Sequence, residues 1–327
     1  MTYTNFPNGA TSFGIPLVGG IGGIPFTGSW YFVDAVSGSD GNEGTADSPL
    51  QSISRAYALC TEGNNDVVAL VSAPTTAAAT TGTFRLSATL TWAKSATHMV
   101  GITAPTMIGQ RARISTATGA TANLSPLISI TAQGCMFANF SIFQGVGEAS
   151  TDEQLINITG QRNYFYNVGF QGMGSSTGAG RAGSYCIYLN GGSENTFVGC
   201  QIGVDTQSRS AANASVKLRS AATRNVFQGC LFPLYATATS PLVFDAAASG
   251  SIDRFAWVKD CAIINSGSSS LAAVVGFHAS QGGFIVVDNC SAVNCTDWTA
   301  TDTATVKITG PVPNGDTSGM AVSSDAT

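Results

Sequence analysis

Charge is what this sequence lacks most. Only 10% of its 327 residues are Asp, Glu, Lys or Arg, against ~25% in an average soluble domain. The 14 basic residues are scattered and the formal net charge is −5. No nucleic-acid partner is expected, because neutralising phosphates needs clustered Lys and Arg. Histidine is rarer still, with His98 and His278 alone. No HExxH or P-loop motif occurs, Gly174-Ser175-Ser176-Thr177-Gly178 fits GxSxG only inside a Gly- and Ser-rich run, and none of the 8 cysteines forms a CxxC pair. A metal centre, a nucleophile elbow and a phosphate cradle are therefore not expected. The sequence predicts no catalytic residue, no metal ligand and no cofactor.

Long apolar runs are also missing. The most apolar stretch, Ile15 to Phe26, is broken by Pro16, Pro25 and several glycines. It falls short of the ~20 residues that cross a bilayer, so no membrane partner is expected. Met1-Thr2-Tyr3-Thr4-Asn5 has no basic segment leading into an apolar one. The expectation is a chain without a secretory leader, folding in a reducing cytosol. The triplets starting at Asn139, Asn157 and Asn213 then read as chance sequons.

What is present is glycine (38 residues) within a composition that is 44% hydrophobic. A disordered chain would be poorer in apolar residues and richer in charge, so a packed core is expected. Its shape follows from a repeat. Six segments, beginning at Phe137, Phe165, Phe197, Phe227, Val258 and Val287, share one pattern and lie 28, 32, 30, 31 and 29 positions apart. A large apolar residue is followed two places on by a turn-prone residue, then by an apolar residue or Cys, then two further on by another apolar residue. The turn-prone slot holds Asn139, Asn167, Gly199, Gly229, Asp260 and Asn289. These residue types tolerate a left-handed backbone, which a sharp bend between two strands would demand once per coil.

A second ladder precedes the first: Ile128/Ile130, Ile156/Ile158, Ile187/Leu189, Val216/Leu218, Leu242/Phe244, Val275/Phe277 and Val306/Ile308. Both ladders alternate with period two and are rich in β-branched and aromatic residues, which argues for strands and against helical repeats. The predicted fold is all-β, a right-handed single-stranded parallel β-helix in which each coil gives at least two short strands. Cys200, Cys230, Cys261 and Cys290 fill the slot held earlier by Phe140 and Val168, so they read as small buried plugs, reduced and inert.

Three regions are expected: an extended arm at 1–29, a β-helix domain at 30–309 whose N-terminal cap is 30–72, and a C-terminal tail at 310–327. In the cap, Trp30 to Asp34 and Asp66 to Val71 read as strands. Ser48-Pro49-Leu50-Gln51 reads as a helix start with Ser48 as N-cap, Pro49 at the first position and Gln51 closing a capping box. Leu50, Ile53, Tyr57 and Cys60 form the apolar stripe of that helix.

These cap residues carry a resemblance. Val33-Asp34, Gly38-Ser39-Asp40, Gly44-Thr45, Pro49, Ile53 and Ala56 resemble the N-terminal opening of pectate-lyase-like right-handed β-helix proteins. Asn5-Phe6-Pro7-Asn8-Gly9 and Thr11-Ser12-Phe13-Gly14-Ile15-Pro16 resemble the arm of tailspike-like virion proteins of tailed bacteriophages. The resemblance implies a homotrimer that decorates or cements a capsid, contacting the major capsid protein or another virion protein on the particle's exterior. Asn5, Phe6, Pro7, Phe13, Ile15, Pro16 and Leu17 are then the partner-binding residues of the arm. Whether the arm orders on a partner or packs along its own helix is left open by its residues.

The enzymatic alternative is a tailspike that binds or cleaves host surface glycan, a reaction that needs paired carboxylates. Outward carboxylates are few: Asp205, Asp245, Asp260 and Asp288. Asp260 is expected at a bend. Asp245 and His278 fall on one outer face of neighbouring coils and are the candidate glycan-site pair.

Overall fold

Strands that alternate inward apolar with outward residues can close a core only by stacking on their equivalents, and the chain does this three times per coil. The computed structural model describes residues 11–12, 15–16, 28–74, 81–120, 124–146, 152–299 and 306–309. Sheet 1 stacks ten strands in chain order: Trp30–Val33, Val67–Leu70, His98–Gly101, Met136–Ala138, Tyr164–Tyr166, Thr196–Val198, Ala222–Gln228, Ile252–Lys259, Gly282–Asp288 and Val306–Thr309. Sheet 2 begins at Phe84–Leu86 and passes through Arg113–Thr116, Ser141–Phe143, Gly169–Gln171, Gln201–Ile202, Leu231–Ala236 and Ala262–Asn265 to Ser291–Val293. Sheet 3 has seven strands, from Leu90–Trp92 to Val275–Phe277. All neighbours in these sheets are parallel, as in the pairing of Tyr164 to Tyr166 with Met136 to Ala138 and with Thr196 to Val198. The fold is a parallel β-helix, and crossovers that return to the same parallel sheet are right-handed in nearly all proteins.

The register puts like on like. Phe137, Phe165, Phe197 and Phe227 are Cα partners in successive coils. Their rings stack at centroid separations of 5.0, 4.6 and 4.7 Å. Cys200, Cys230, Cys261 and Cys290 are buried and free beside them. The Cys230 thiol donates to the Phe197 carbonyl and that of Cys261 to the Phe227 carbonyl, each at 3.5 Å.

The six turn-prone residues form one column. Asn139, Asn167, Gly199, Gly229, Asp260 and Asn289 all have φ between 49° and 60°. Each donates its N–H to a carbonyl of the following coil, from Asn139 to Tyr166 at 3.1 Å through to Asn289 to Thr309 at 2.8 Å. Side chains bind along the column as well: Asn167 Nδ2 donates to Asn139 Oδ1 at 3.1 Å, and Asn289 Nδ2 to Asp260 Oδ1 at 2.7 Å. A Cβ at Gly199 or Gly229 would meet nothing within 4 Å, so backbone angle and not space selects glycine there.

A second left-handed corner, between sheets 3 and 1, was not expected. It contains Asn65, Ala96, Gly134, Arg162, Glu194 and Arg224, with φ between 50° and 67°. Arg162 Nε reaches Glu194 Oε2 at 2.6 Å and Arg224 Nη1 reaches Glu194 Oε1 at 2.9 Å. These exposed pairs tie coils together, and the hydrogen bond from Arg224 leads the effects that hold the Glu194 carboxyl below its usual range.

The seven coils that open at Val67–Leu70 through Ile252–Lys259 contribute three strands each, within the expected minimum of two, because the inward apolar residues at Phe140, Val168 and the cysteine slot open a sheet of their own. Two expectations are corrected. Val306 and Ile308 belong to sheet 1, opposite Ile285 and Val287; the sheet 3 position beyond Val275 is taken by a bridge to Thr299. The cap helix spans Ile53–Leu59 with Ser52, not Ser48, as its N-cap. Leu50 is committed to sheet hydrogen bonds, its N–H to Phe32 O at 2.9 Å and its C=O from Asp34 N at 2.8 Å. The helix therefore starts later, where Asp40 accepts from Ser52 N at 2.8 Å and Ser52 Oγ accepts from Arg55 N at 3.1 Å.

Candidate functional site

Where both faces of a strand are apolar, one face cannot enter the core. In Ile252–Lys259, Ala256 and Val258 point inward and are buried. The alternation puts Phe255, Trp257 and Lys259 outside. Register places Phe284 beside Phe255, Val286 beside Trp257 and Asp288 beside Lys259, then Lys307 beside Val286 and Thr309 beside Asp288. Phe255, Trp257, Phe284, Val286, Asp288 and Thr309 line a cleft of about 340 Å³. Its floor is the small Val286, its walls are aromatic, and its polar end is organised: Thr309 Oγ1 donates to Asp288 Oδ1 at 2.6 Å. Lys259 Nζ lies 5.2 Å from the Trp257 ring centroid, a cation–π contact that orders the ring. Flat apolar surfaces beside one carboxylate suit a ligand with an apolar face and hydroxyls at its edge.

Asp245 and His278 do share the outer side of sheet 3, but the structure does not bring them together. Asp245 lies opposite Gly276 in the register. Its Oδ2 is paired with Arg219 Nη2 at 2.7 Å and its Oδ1 accepts from Ala247 N at 2.9 Å. His278 lies two places further along, exposed, its Nδ1 accepting from Ser280 N at 3.0 Å. Ile15–Pro16 pairs antiparallel with Thr11–Ser12; Asn5, Phe6, Pro7, Phe13 and Leu17 lie outside the described residues. Among the described residues no His, Cys, Asp or Glu group is arranged to hold a metal ion. Burial pushes the Cys60 and Cys295 thiols up to about 12 and that of Cys186 to about 11, so these sulfurs stay protonated and pack as small apolar groups.

Sequence reasoning passed over a buried amide ladder. Asn163, Asn195 and Asn225 stand two residues ahead of Phe165, Phe197 and Phe227. Each is at most 1% exposed. Asn163 Oδ1 accepts from Cys135 N at 2.9 Å, and Asn195 Oδ1 and Asn225 Oδ1 accept from Asn163 N and Asn195 N at 3.0 Å. The signal was their fixed offset from the repeat.

His98 also faces outward in sheet 1 yet is buried. Met136 N donates to its Nδ1 at 3.0 Å, so Nε2 carries the proton and donates to Asn65 Oδ1 at 3.2 Å. Burial lowers its pKa to about 4, with Asp66 the charge that opposes the shift. The unfolded chain therefore binds a proton at mildly acid pH that the folded chain does not. Stability is complete above the unfolded pKa of ~6.5 and is lost as pH falls toward the folded value, by up to about 3 kcal/mol. Urea unfolding at pH 7.5, 6 and 5 should show this slope, and His98→Asn should flatten it. A native slope matching the variant's would refute the assignment.

No protein-family model matches the chain, and no curated protein does. Solved structures do. A rhamnogalacturonan lyase is similar over 80% of this chain and 68% of its own length, at 15% identity with a TM-score of 0.52. ORF18 of Geobacillus virus E2 matches 76% of this chain at 13% identity with a TM-score of 0.49, and the match spans 46% of that protein. The Dettilon tailspike protein matches 84% of this chain and 67% of its own length, at 10% identity with a TM-score of 0.32. The likeness to the lyase is one of fold, the parallel β-helix. No helix among the described residues is long and apolar enough to cross a membrane.

Proposed function

We propose that this chain is a structural protein of a bacteriophage particle, folded in the host cytoplasm, that decorates or cements the capsid exterior as a homotrimer. Its role is adhesive and not catalytic. Residues 1–29 form the anchor, the β-helix over 30–309 the rigid body, and 310–327 a tail. The observation that carries the reading is the contrast between these parts. The first 29 residues contain no Asp, Glu, Lys, Arg or His, and they lead into a rod whose core is one unbroken stack from Val33 to Val306. An uncharged apolar strip suits docking on a shell or a neighbouring subunit, and a stack of like coils suits a stiff spacer. Deleting residues 1–29 is expected to abolish binding to capsids assembled without the protein, while circular dichroism reports an intact β-rod. Undiminished binding by the truncated chain would remove the decoration role.

A second reading is a receptor-binding spike, favoured by the aromatic cleft at Phe255, Trp257 and Phe284. A soluble neutral oligosaccharide from the host surface that shifts Trp257 emission, with no such shift in Trp257→Phe, would move that reading ahead.

A further inference from the structure

Residues that point away from the core of a β-helix meet water unless something lies over them. In the early strands of sheet 1 the inward residues Val68, Leu70, Met99 and Phe137 belong to the core cluster. Their outward neighbours Val67, Ala69, His98, Val100, Met136 and Ala138 lie outside that cluster, yet they are 0%, 0%, 3%, 6%, 8% and 0% exposed. The cover has sharp limits. Trp30 stands one strand before Val67 in the register and Tyr166 one strand after Ala138, and they are 38% and 39% exposed. Three strands of an outer face are closed to water between two that are open.

The described segments beside these strands are engaged elsewhere. Ile53 and Ala56 turn the cap helix into the core. Residues 44–50 bind along the free edge of the first strand, through Phe32 N to Gly44 O and Leu50 N to Phe32 O. Residues 102–112 leave sheet 1 for its corner with sheet 2, where Gln110 Nε2 donates to Asn167 O at 3.2 Å and Gly109 N to Gln201 Oε1 at 3.3 Å. The chain ahead of the first strand is placed differently. Gly28 sits against the second coil, where a Cβ would meet Asn64 O at 2.4 Å and Asp66 N at 2.5 Å. Ser29 N donates to Asp66 Oδ1 at 2.7 Å, and Asp66 adjoins Val67. Chain running back from residue 28 therefore starts at the border of the covered face. Residues 17–27 lie outside the described residues. They hold Leu17, Val18, Ile21, Ile24 and Phe26 and no charge, and their four glycines let a backbone lie close to a sheet. Extended, these residues reach up to ~36 Å, well beyond the ~15 Å of three strand spacings.

We propose that residues 17–27 form a strap across the outer face of sheet 1, over Val67, Ala69, His98, Val100, Met136 and Ala138. The occupant is the chain's own segment because its tether begins at the edge of the face, its length spans the face, and its uncharged apolar residues match what they cover. The strap narrows the anchor to the residues ahead of it, and it stands whether or not that anchor meets a capsid. It also gives the anchor a root: a pull on residues 1–16 is spread over three coils and not borne by the first strand alone.

Histidine NMR on the full chain tests this, because His98 and His278 give only two ring signals. In the native protein His98 is expected to titrate near its depressed value of about 4. Ile21→Asn with Ile24→Asn, which adds no charge beside His98 and leaves Asp66 in place, should keep native circular dichroism. It should bring His98 up by at least about one pH unit toward the ordinary ~6.5, as water reaches the ring. Phe6→Asn, ahead of the strap, should leave His98 unchanged, and its effect on capsid binding reports on the anchor alone. A His98 titration that the double variant leaves in place overturns the strap. So does loss of the β-rod in that variant, which would put these residues in the core, and so does a rise in His98 caused by Phe6→Asn. A native value that climbs on dilution would assign the cover to a neighbouring copy and overturn it too.

Discussion

Asn195→Ala is expected to lower the unfolding free energy by about 3–5 kcal/mol, more than most core truncations of similar size. Asn195 is fully buried and its side chain works in two directions. Oδ1 accepts the Asn163 N–H at 3.0 Å, and Nδ2 donates to Gly160 O at 3.1 Å and to Asn225 Oδ1 at 3.2 Å. Alanine strands a backbone donor and a backbone acceptor in a dry interior, each at about 1–3 kcal/mol, and also removes one rung between two like amides. A hydrophobic replacement of equal size does not rescue the loss, because the orphaned groups are backbone. Urea denaturation reads the result, and a loss below about 1 kcal/mol would mean that water replaces the ladder.

Phe197→Ala should cost a similar amount for a different reason. The ring lies between Phe165 and Phe227 at 4.6 and 4.7 Å, with the Phe170 ring at 5.9 Å. Truncation opens a cavity that close-stacked neighbours cannot collapse into, at about 3–5 kcal/mol, whereas Phe197→Leu keeps most of the volume and should cost well under half of that. The consequence extends beyond the sum. In a stack whose coils touch only adjacent coils, stability is a chain of nearest-neighbour terms, and a weak middle rung separates the two ends. Phe197→Ala is therefore expected to unfold in two steps under denaturant where the native protein unfolds in one. A single transition of unchanged steepness, shifted by less than about 1 kcal/mol, would contradict this.

The legible parts of the fold were those where side-chain chemistry and backbone geometry coincide. Asn139, Asn167, Gly199, Gly229, Asp260 and Asn289 occupy a bend that their residue types allow, so the column could be read from the sequence. The opposite corner uses the same backbone angle at Ala96, Arg162, Glu194 and Arg224, where nothing in the residue type announces it. There the stacked hydrogen bonds, such as Arg162 N to Ser193 O at 3.0 Å, impose the conformation. Ser48-Pro49 is a sound helix start signal locally, and only the pairing of Leu50 with Phe32 and Asp34 overrides it. Val306 sits in sheet 1 although its period fits the sheet 3 ladder, because two ladders with one period differ only in which sheet receives them.

The candidate site was less legible than the fold. Phe255, Trp257 and Phe284 lie in strands that are apolar on both faces, so periodicity could not separate a wall of the cleft from a core residue. Strand parity is all that links Asp245 with His278 in the sequence. Parity put them on one outer side, but register and the Arg219 ion pair decided what they touch.

The direction of the corner hydrogen bonds has a consequence for how the molecule is made. Every bend surrenders its N–H to the turn that comes after it, from Asn139 to Asn289. During synthesis a turn thus remains unlatched until its successor leaves the ribosome, and the rod closes one step behind its own growth. The strand Val306–Thr309 supplies the last of these latches, the Thr309 carbonyl that takes the Asn289 N–H.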